Sequence, residues 1–358
     1  MEKTKNRESN VELLRIIASV GVIILHYNNH DMGGGFKYTL PGSSNSILLH
    51  FLECVFICAV DLFLLITGYY MAEKKPNDQP MTYLKKIIYL VLQVIIFNQV
   101  SYMISSQLSG RNISIYGIIN NLLQKNYFVV QYSVVYLLSP YLNRTIDSLC
   151  RKELNQFAIL LFICLSVCPT IADVVQNISR EMFMGINTIS MYGDDSGYTL
   201  INFILMYFVG CYIRKVELCN YHINKRIFLL LLLLLWCVLF VWRYIGLRFY
   251  EKISATSYCN PVVIMCAVIT FVIFKRINIK NNRIINELAG GAFTVFLTHQ
   301  YVISVVGVKY VAQQKTIILF IHIIIVCICL YIFGYACYKI YSYLCMLAIK
   351  LFTYIKRV

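Results

Sequence analysis

The chain has 358 residues, 59% hydrophobic and only 14% charged, with a formal net charge of +15. So apolar a composition excludes a soluble globular domain of this length. It also assigns the positive charge to short loops between membrane spans, not to nucleic-acid binding. Of the fourteen cysteines, most (Cys54, Cys58, Cys164, Cys168, Cys237, Cys266, Cys327, Cys329) lie inside apolar runs and read as small buried hydrophobes, not as a disulfide or metal framework.

Apolar runs long enough to cross a hydrocarbon core of about 30 Å occur at 10–29, 47–72, 84–105, 127–143, 156–174, 199–214, 226–245, 258–275, 289–308 and 316–346. They predict an all-α polytopic membrane protein of about ten transmembrane helices in a single bundle. Residues 1–358 read as one integral-membrane domain with no appended soluble domain. The basic start (Lys3, Lys5, Arg7) runs into a full-length span without a small-residue cleavage site, so the first span is read as retained. Alternate loops carry twenty-one Lys and Arg residues against nine in the others. That bias predicts cytoplasmic termini and a cytoplasmic loop around 74–86, with 30–46 and 175–198 facing outward.

The first span, Asn10 to Tyr27, carries Glu12, Arg15 and His26. An ionisable side chain in a membrane helix costs a few kcal/mol or more, which makes a functional site the default hypothesis. Arg15 and His26 are eleven residues apart and return to nearly one azimuth, about 16 Å apart along the axis. Glu12, Ser19 and Val22 share that stripe, which predicts a polar face opposite an aliphatic face turned to lipid or packed helices. The plainer reading has Glu12 and Arg15 as an interfacial ion pair and His26 as a core histidine satisfied by a neighbouring hydroxyl.

Further along, the loop 30–46 holds His30, Asp31, the run Gly33-Gly34-Gly35, Pro41 and Gly42, and 175–198 holds Glu181, Asn187, Asp194, Asp195 and Gly197. Both are rich in turn formers and fit either contact with a hydroxylated ligand or a solvated connector. At 1.5 Å per residue, Asp61 and His299 come out about 16 Å above the inner boundary, between the levels of Arg15 and His26. Asp61 either orients His26, pairs with Arg15 or caps a helix end. His299 either meets a ligand or is a packed histidine bonded to a neighbouring span. His26, His30 and Asp31 lack the glutamate of a His-Glu-x-x-His zinc helix, so no metal is expected. His50, His222 and His322 show no partner pattern.

An Arg, ten intervening residues and a His followed by an aromatic resembles the acyltransferase-3 family of multi-span membrane acyltransferases. Val60-Asp-Leu-Phe-Leu-Leu-Ile-Thr-Gly-Tyr69 looks like its second-span motif. Tyr127-Phe-Val-Val-Gln-Tyr-Ser-Val-Val-Tyr-Leu-Leu-Ser-Pro-Tyr-Leu-Asn143 is similar to the fourth span of members that act on bacterial surface polysaccharides. Met206-Tyr-Phe-Val-Gly-Cys-Tyr-Ile-Arg214, and Ile285-Asn-Glu-Leu-Ala with Phe296-Leu-Thr-His299, resemble later segments. The resemblance runs from residue 10 to about 300. Tyr127 stands where relatives often carry Trp, and Lys85 and Lys86 stand in place of an Arg-rich inner loop.

What the resemblance implies is transfer of an acyl group, usually acetyl, from cytoplasmic acyl-CoA to a carbohydrate hydroxyl in a bacterial inner or plasma membrane. The acceptor would be a cell-envelope or exopolysaccharide sugar, free or lipid-linked. His26, Asp61 and His299 become the catalytic candidates. Arg15, Glu12, Lys85 and Lys86 become the donor side, and Tyr127, Gln131 and Tyr132 the acceptor side, with acyl-CoA the only cofactor and membrane lipid the surroundings. His26 suits a general base, or a nucleophile passing through an acyl-imidazole; Arg15 suits CoA phosphates. A multi-span transporter or flippase for a lipid-linked sugar or small metabolite is the alternative, disfavoured by the lack of an internal repeat. A membrane scaffold gains nothing from three ionisable groups in one span.

Overall fold

The structure, a computed structural model, describes residues 7–73, 80–108, 110, 112–122, 127–181, 197–220, 224–249 and 254–355. Among them every long regular element is helical. In chain order these are α1 (Ser9–Asn28), α2 (Gly35–Tyr38), α3 (Ser44–Phe56), α4 (Ala59–Met71), α5 (Pro80–Leu108), α6 (Ile115–Leu122), α7 (Tyr127–Ser148) and α8 (Arg151–Phe162). They continue as α9 (Cys168–Ser179), α10 (Leu200–Lys215), α11 (Lys225–Phe249), α12 (Pro261–Lys275), α13 (Arg283–Gly290), α14 (Ala292–Val302), α15 (Val308–Val311) and α16 (Thr316–Ile355). Lys3, Lys5, Lys74, Lys75, Asn187, Asp194, Asp195 and His222 lie outside the described residues.

All ten apolar runs fall on helix, but seven helices among the described residues are long and apolar enough to cross a membrane, or eight if α13 and α14, which meet at a 52° bend, count as one span. The difference has local causes. Helix α7 interrupts its apolar residues with Ser133, Ser139, Pro140 and Asn143, and α10 has only 16 residues. The chain separates into two compact units, Met1–Phe56 with Asn278–Val358, and Ile57–Ile277.

In the first unit α1 packs against α3, α13, α14 and α16. Of the two surroundings expected for the aliphatic face, lipid or packed helices, the structure shows packed helices: no residue from Ser9 to Asn28 is exposed. Ile23, Ile24 and Tyr27 join Leu49, Val295, Leu319, Ile323 and Tyr331 in one core. Helix α16 can lie close to α14 because Gly334 faces it; a Cβ there would stand 2.6 Å from Val295 Cα.

Polar ties fix both ends of α1. The Asn282 backbone N–H donates to Ser9 Oγ (2.7 Å), and that hydroxyl donates to Asn286 Oδ1 (2.9 Å). At the other end the Gly33 N–H donates to the His26 carbonyl (2.9 Å). A Cβ on Gly33 would meet the Tyr27 carbonyl at 2.5 Å, so only glycine lets the returning chain come this near. Gly34, at φ +81°, makes the turn. Asn28, fully buried, donates to the Leu49 carbonyl (3.1 Å) and Glu53 Oε2 (2.8 Å).

In the second unit α4 and α10 cross almost backbone to backbone. A Cβ on Gly68 would lie 2.0 Å from the Tyr207 carbonyl, and one on Gly210 2.2 Å from the Leu65 carbonyl. Small residues permit such approach where neighbouring lipid is as apolar as a side chain and only packing and hydrogen bonds distinguish the contact. Around the crossing, Tyr207 donates to Asn143 Oδ1 (2.8 Å), and Asn143 to the Met71 carbonyl (2.8 Å). Arg214 binds Glu73 and Tyr69, and Lys215 binds Asp147.

Candidate active site

Helix α1 carries the first unit's reactive groups because its apolar sequence lets it be enclosed, which leaves each polar side chain to find a protein partner. His26, on its last turn, meets His299 of α14: His299 Nε2 and His26 Nδ1 are 2.7 Å apart, with ring centroids 4.8 Å apart and planes inclined by 30°. His299 is fully buried. Its Nδ1–H donates to the Val295 carbonyl one turn back on α14 (3.0 Å), and Phe296 packs against the ring. Both expectations for His26 and His299 change in detail. The partner of His26 is an imidazole, not a hydroxyl. His299 stands at the level of His26, not below it, because α14 follows a sharp bend at Gly291 that simple counting along a straight span misses.

Arg15 Nη1 lies 3.7 Å from Glu12 Oε1, a loose pair one turn apart, with the Arg side chain 36% exposed and that of Glu12 10% exposed. Glu12 Oε2 is buried without a hydrogen-bond partner. Ser19 does not join this pair: its hydroxyl turns back to the Arg15 carbonyl (3.0 Å).

A third histidine of this unit had no expected role and has a partner. Tyr27 OH and His322 Nδ1 are 2.9 Å apart, and His322 Nε2 lies 3.1 Å from the Val306 carbonyl. The backbone carbonyl requires a hydrogen on Nε2, so Nδ1 accepts from the tyrosine. No spacing rule links residues 27 and 322. His50 stacks on Phe36 at 4.5 Å. Among the described residues no three His, Cys, Asp or Glu side chains converge as metal ligands.

The other candidates belong to the second unit. Asp61 is buried on α4, where Asn202 of α10 donates to Oδ1 at 3.4 Å and Oδ2 has no partner. Lys85 and Lys86 are exposed, but they sit within α5 and not in the loop assigned to them, because the helix begins at Pro80, a residue preset for a first turn. Tyr127, Gln131 and Tyr132 share the start of α7. The Tyr127 ring meets Tyr198 edge-on at 4.7 Å, Gln131 donates to the Tyr198 carbonyl (2.6 Å), and Tyr132 stacks on Phe128 with its hydroxyl 3.4 Å from Thr67 Oγ1. These three therefore belong to one aromatic cluster.

Apolar helices of span length that enclose a histidine pair and a loosely held arginine define a multi-pass membrane protein. A family model described as an acyltransferase domain matches residues 8–339, a stretch that takes in all of the second unit and most of the first. The chain belongs to the acyltransferase-3 family, and its activity is acyl transfer. No curated protein and no solved structure matches it.

Proposed function

We propose that the protein is a single membrane O-acyltransferase domain that moves an acetyl group from cytoplasmic acyl-CoA to a hydroxyl of a cell-envelope or exopolysaccharide sugar. The observation that carries this reading is the His26–His299 contact at 2.7 Å on the helix that also bears Arg15. His26 takes the proton of the acceptor hydroxyl as it attacks the thioester carbonyl and returns it to the departing thiolate. Burial by the packed helices keeps bulk water from competing as acceptor.

Arg15, always charged and only loosely tied to Glu12, attracts the CoA phosphates, and Glu12 orients it. About 16 Å of helix between Arg15 and His26 leaves room for an extended donor whose thioester ends at the base. Direct transfer is favoured over an acyl-imidazole, because holding thioester and hydroxyl together supplies proximity without a covalent step. In the second unit, Lys85 and Lys86 add donor-side charge, Asp61 with Asn202 supports the helices, and Tyr127, Gln131 and Tyr132 offer rings and an amide to a sugar. The loop basicity supports cytoplasmic termini, and the membrane of this reading is a bacterial inner or plasma membrane.

Purified protein in nanodiscs, given radiolabelled acetyl-CoA and a lipid-linked oligosaccharide, should move label to the glycan. Absence of both transfer and acetyl-CoA hydrolysis would overturn the reading.

A further inference from the structure

The hydrogen bonds around His299 determine where the hydrogens of the histidine pair reside. Its Nδ1 faces a backbone carbonyl at 3.0 Å. A carbonyl can only accept, so Nδ1 carries a hydrogen. The ring is fully buried against the Val295 carbonyl, the Phe296 backbone and ring, and His26, and no carboxylate forms an ion pair with it among the described residues. A second hydrogen would make it an unpaired buried cation, which is costly. His299 is therefore a neutral imidazole with a lone pair on Nε2. That lone pair points at His26 Nδ1 across 2.7 Å, and two lone pairs at that distance would repel. The His26 Nδ1 must carry the hydrogen, which leaves its Nε2 bare.

We propose that His299 is a positioning residue that locks His26 in its Nδ1–H tautomer and so presents Nε2 as the base. This rests on the acyl-transfer reading for its use, though not for its existence. During transfer the acceptor O–H bond breaks as the new C–O bond forms, and the proton goes to His26 Nε2. The imidazolium keeps its Nδ1–H on His299 Nε2. When the C–S bond breaks, Nε2 gives that proton to the thiolate, and the pair returns to its starting form. A buried carboxylate fills the same orienting role in serine hydrolases; here a neutral ring does so, itself held by its own helix backbone. Without that acceptor a histidine is free to place its hydrogen on Nε2, the form favoured in water, and lose the base.

The direct test is nitrogen NMR of the full chain with 15N-labelled histidine in nanodiscs, with His26 assigned by comparison with His26→Gln. The wild-type spectrum should show His26 with hydrogen on Nδ1 and a bare Nε2. Hydrogen on Nε2 would overturn the proposal whether or not the protein transfers acyl groups, and the expected tautomer in a chain that proved inactive would leave it standing while the functional reading fell. A kinetic arm uses two variants. His299→Leu removes the acceptor and should lower kcat by about 10²-fold with KM for acyl-CoA little changed, whereas His299→Gln keeps a carbonyl acceptor and should recover most of that loss. Equal loss in both variants, or none in either, would count against a positioning role. If His299→Leu does not fold, the wild-type spectrum decides alone.

Discussion

The two units each press a buried ionisable side chain against a neighbouring helix, and they do so by opposite means. In the first, α1 and α14 meet through side chains, His26 on His299 at 2.7 Å, with every ring nitrogen but one assigned a partner. In the second, α4 and α10 meet through their backbones at Gly68 and Gly210, and the Asp61–Asn202 bond accommodates to that crossing at 3.4 Å with an oxygen left over. Where backbones set the separation, polar groups adapt to it; where side chains set it, they define a geometry precise enough for chemistry. An ionisable residue inside a span is therefore only half of a functional argument. The other half is whether its partner leaves one reactive atom oriented.

That contrast can be broken most sharply at His26. His26→Ala should reduce labelled acetyl transfer by about 10²–10⁴-fold with membrane insertion near wild type and apparent Tm only modestly lowered, since the proton acceptor is lost together with the hydrogen-bond partner of His299. A tenfold loss or less would put the α1–α14 contact on the structural side of the comparison. At the glycine crossing the opposite pattern is expected. Gly210→Ala places a methyl 2.2 Å from the Leu65 carbonyl, and overpacking of this kind costs about 1–3 kcal/mol or more. Apparent Tm in detergent should fall clearly, and a wild-type melting curve would show that the helices part without cost.

Arg15→Lys sharpens the first unit's side. Lysine keeps the charge but loses the bidentate fork, so acyl-CoA affinity measured by equilibrium binding should drop about tenfold with folding unaffected. Unchanged affinity would reduce Arg15 to an interfacial charge. The smallest effect is expected at Tyr27→Phe, which removes the hydroxyl that serves His322. The cost is about 0.5–1.5 kcal/mol of stability, read as a modest downward shift in Tm, and an upward shift would mean that this pair is strained.

The helical architecture was legible because apolar runs of span length leave little else for the backbone to do in lipid. The single helix that carries Arg15 and His26 was legible because helical periodicity is a local property. What was not legible depended on contacts distant in sequence or on helix ends. His299 stood out by its segment, but its partner and level depend on the bend between α13 and α14. Tyr27 and His322 are joined only by the fold. Whether lipid or packed helices cover the aliphatic face of α1 was left open by the sequence, because such a face reads alike whether lipid or α3 and α16 covers it. Lys85 and Lys86 were assigned to a loop because charged residues mask a helix start that Pro80 alone could have signalled.

One further consequence lies in the Gly33-Gly34-Gly35 turn. Since Gly33 hydrogen-bonds the carbonyl of His26 and Gly33 and Gly35 both sit against the Tyr27 carbonyl with no room for a Cβ, the polypeptide leaving α1 is anchored for three residues before it gains any freedom. The segment beyond keeps contacts of its own, Phe36 on His50 and Thr39 Oγ1 on the Gly35 carbonyl, so exposed Leu40 and Pro41 are where sequence can vary without disturbing the helix end. A chimera that exchanges this loop between family members should be spliced at Leu40 or later, because a cut at Asp31 would carry the anchor away with the graft.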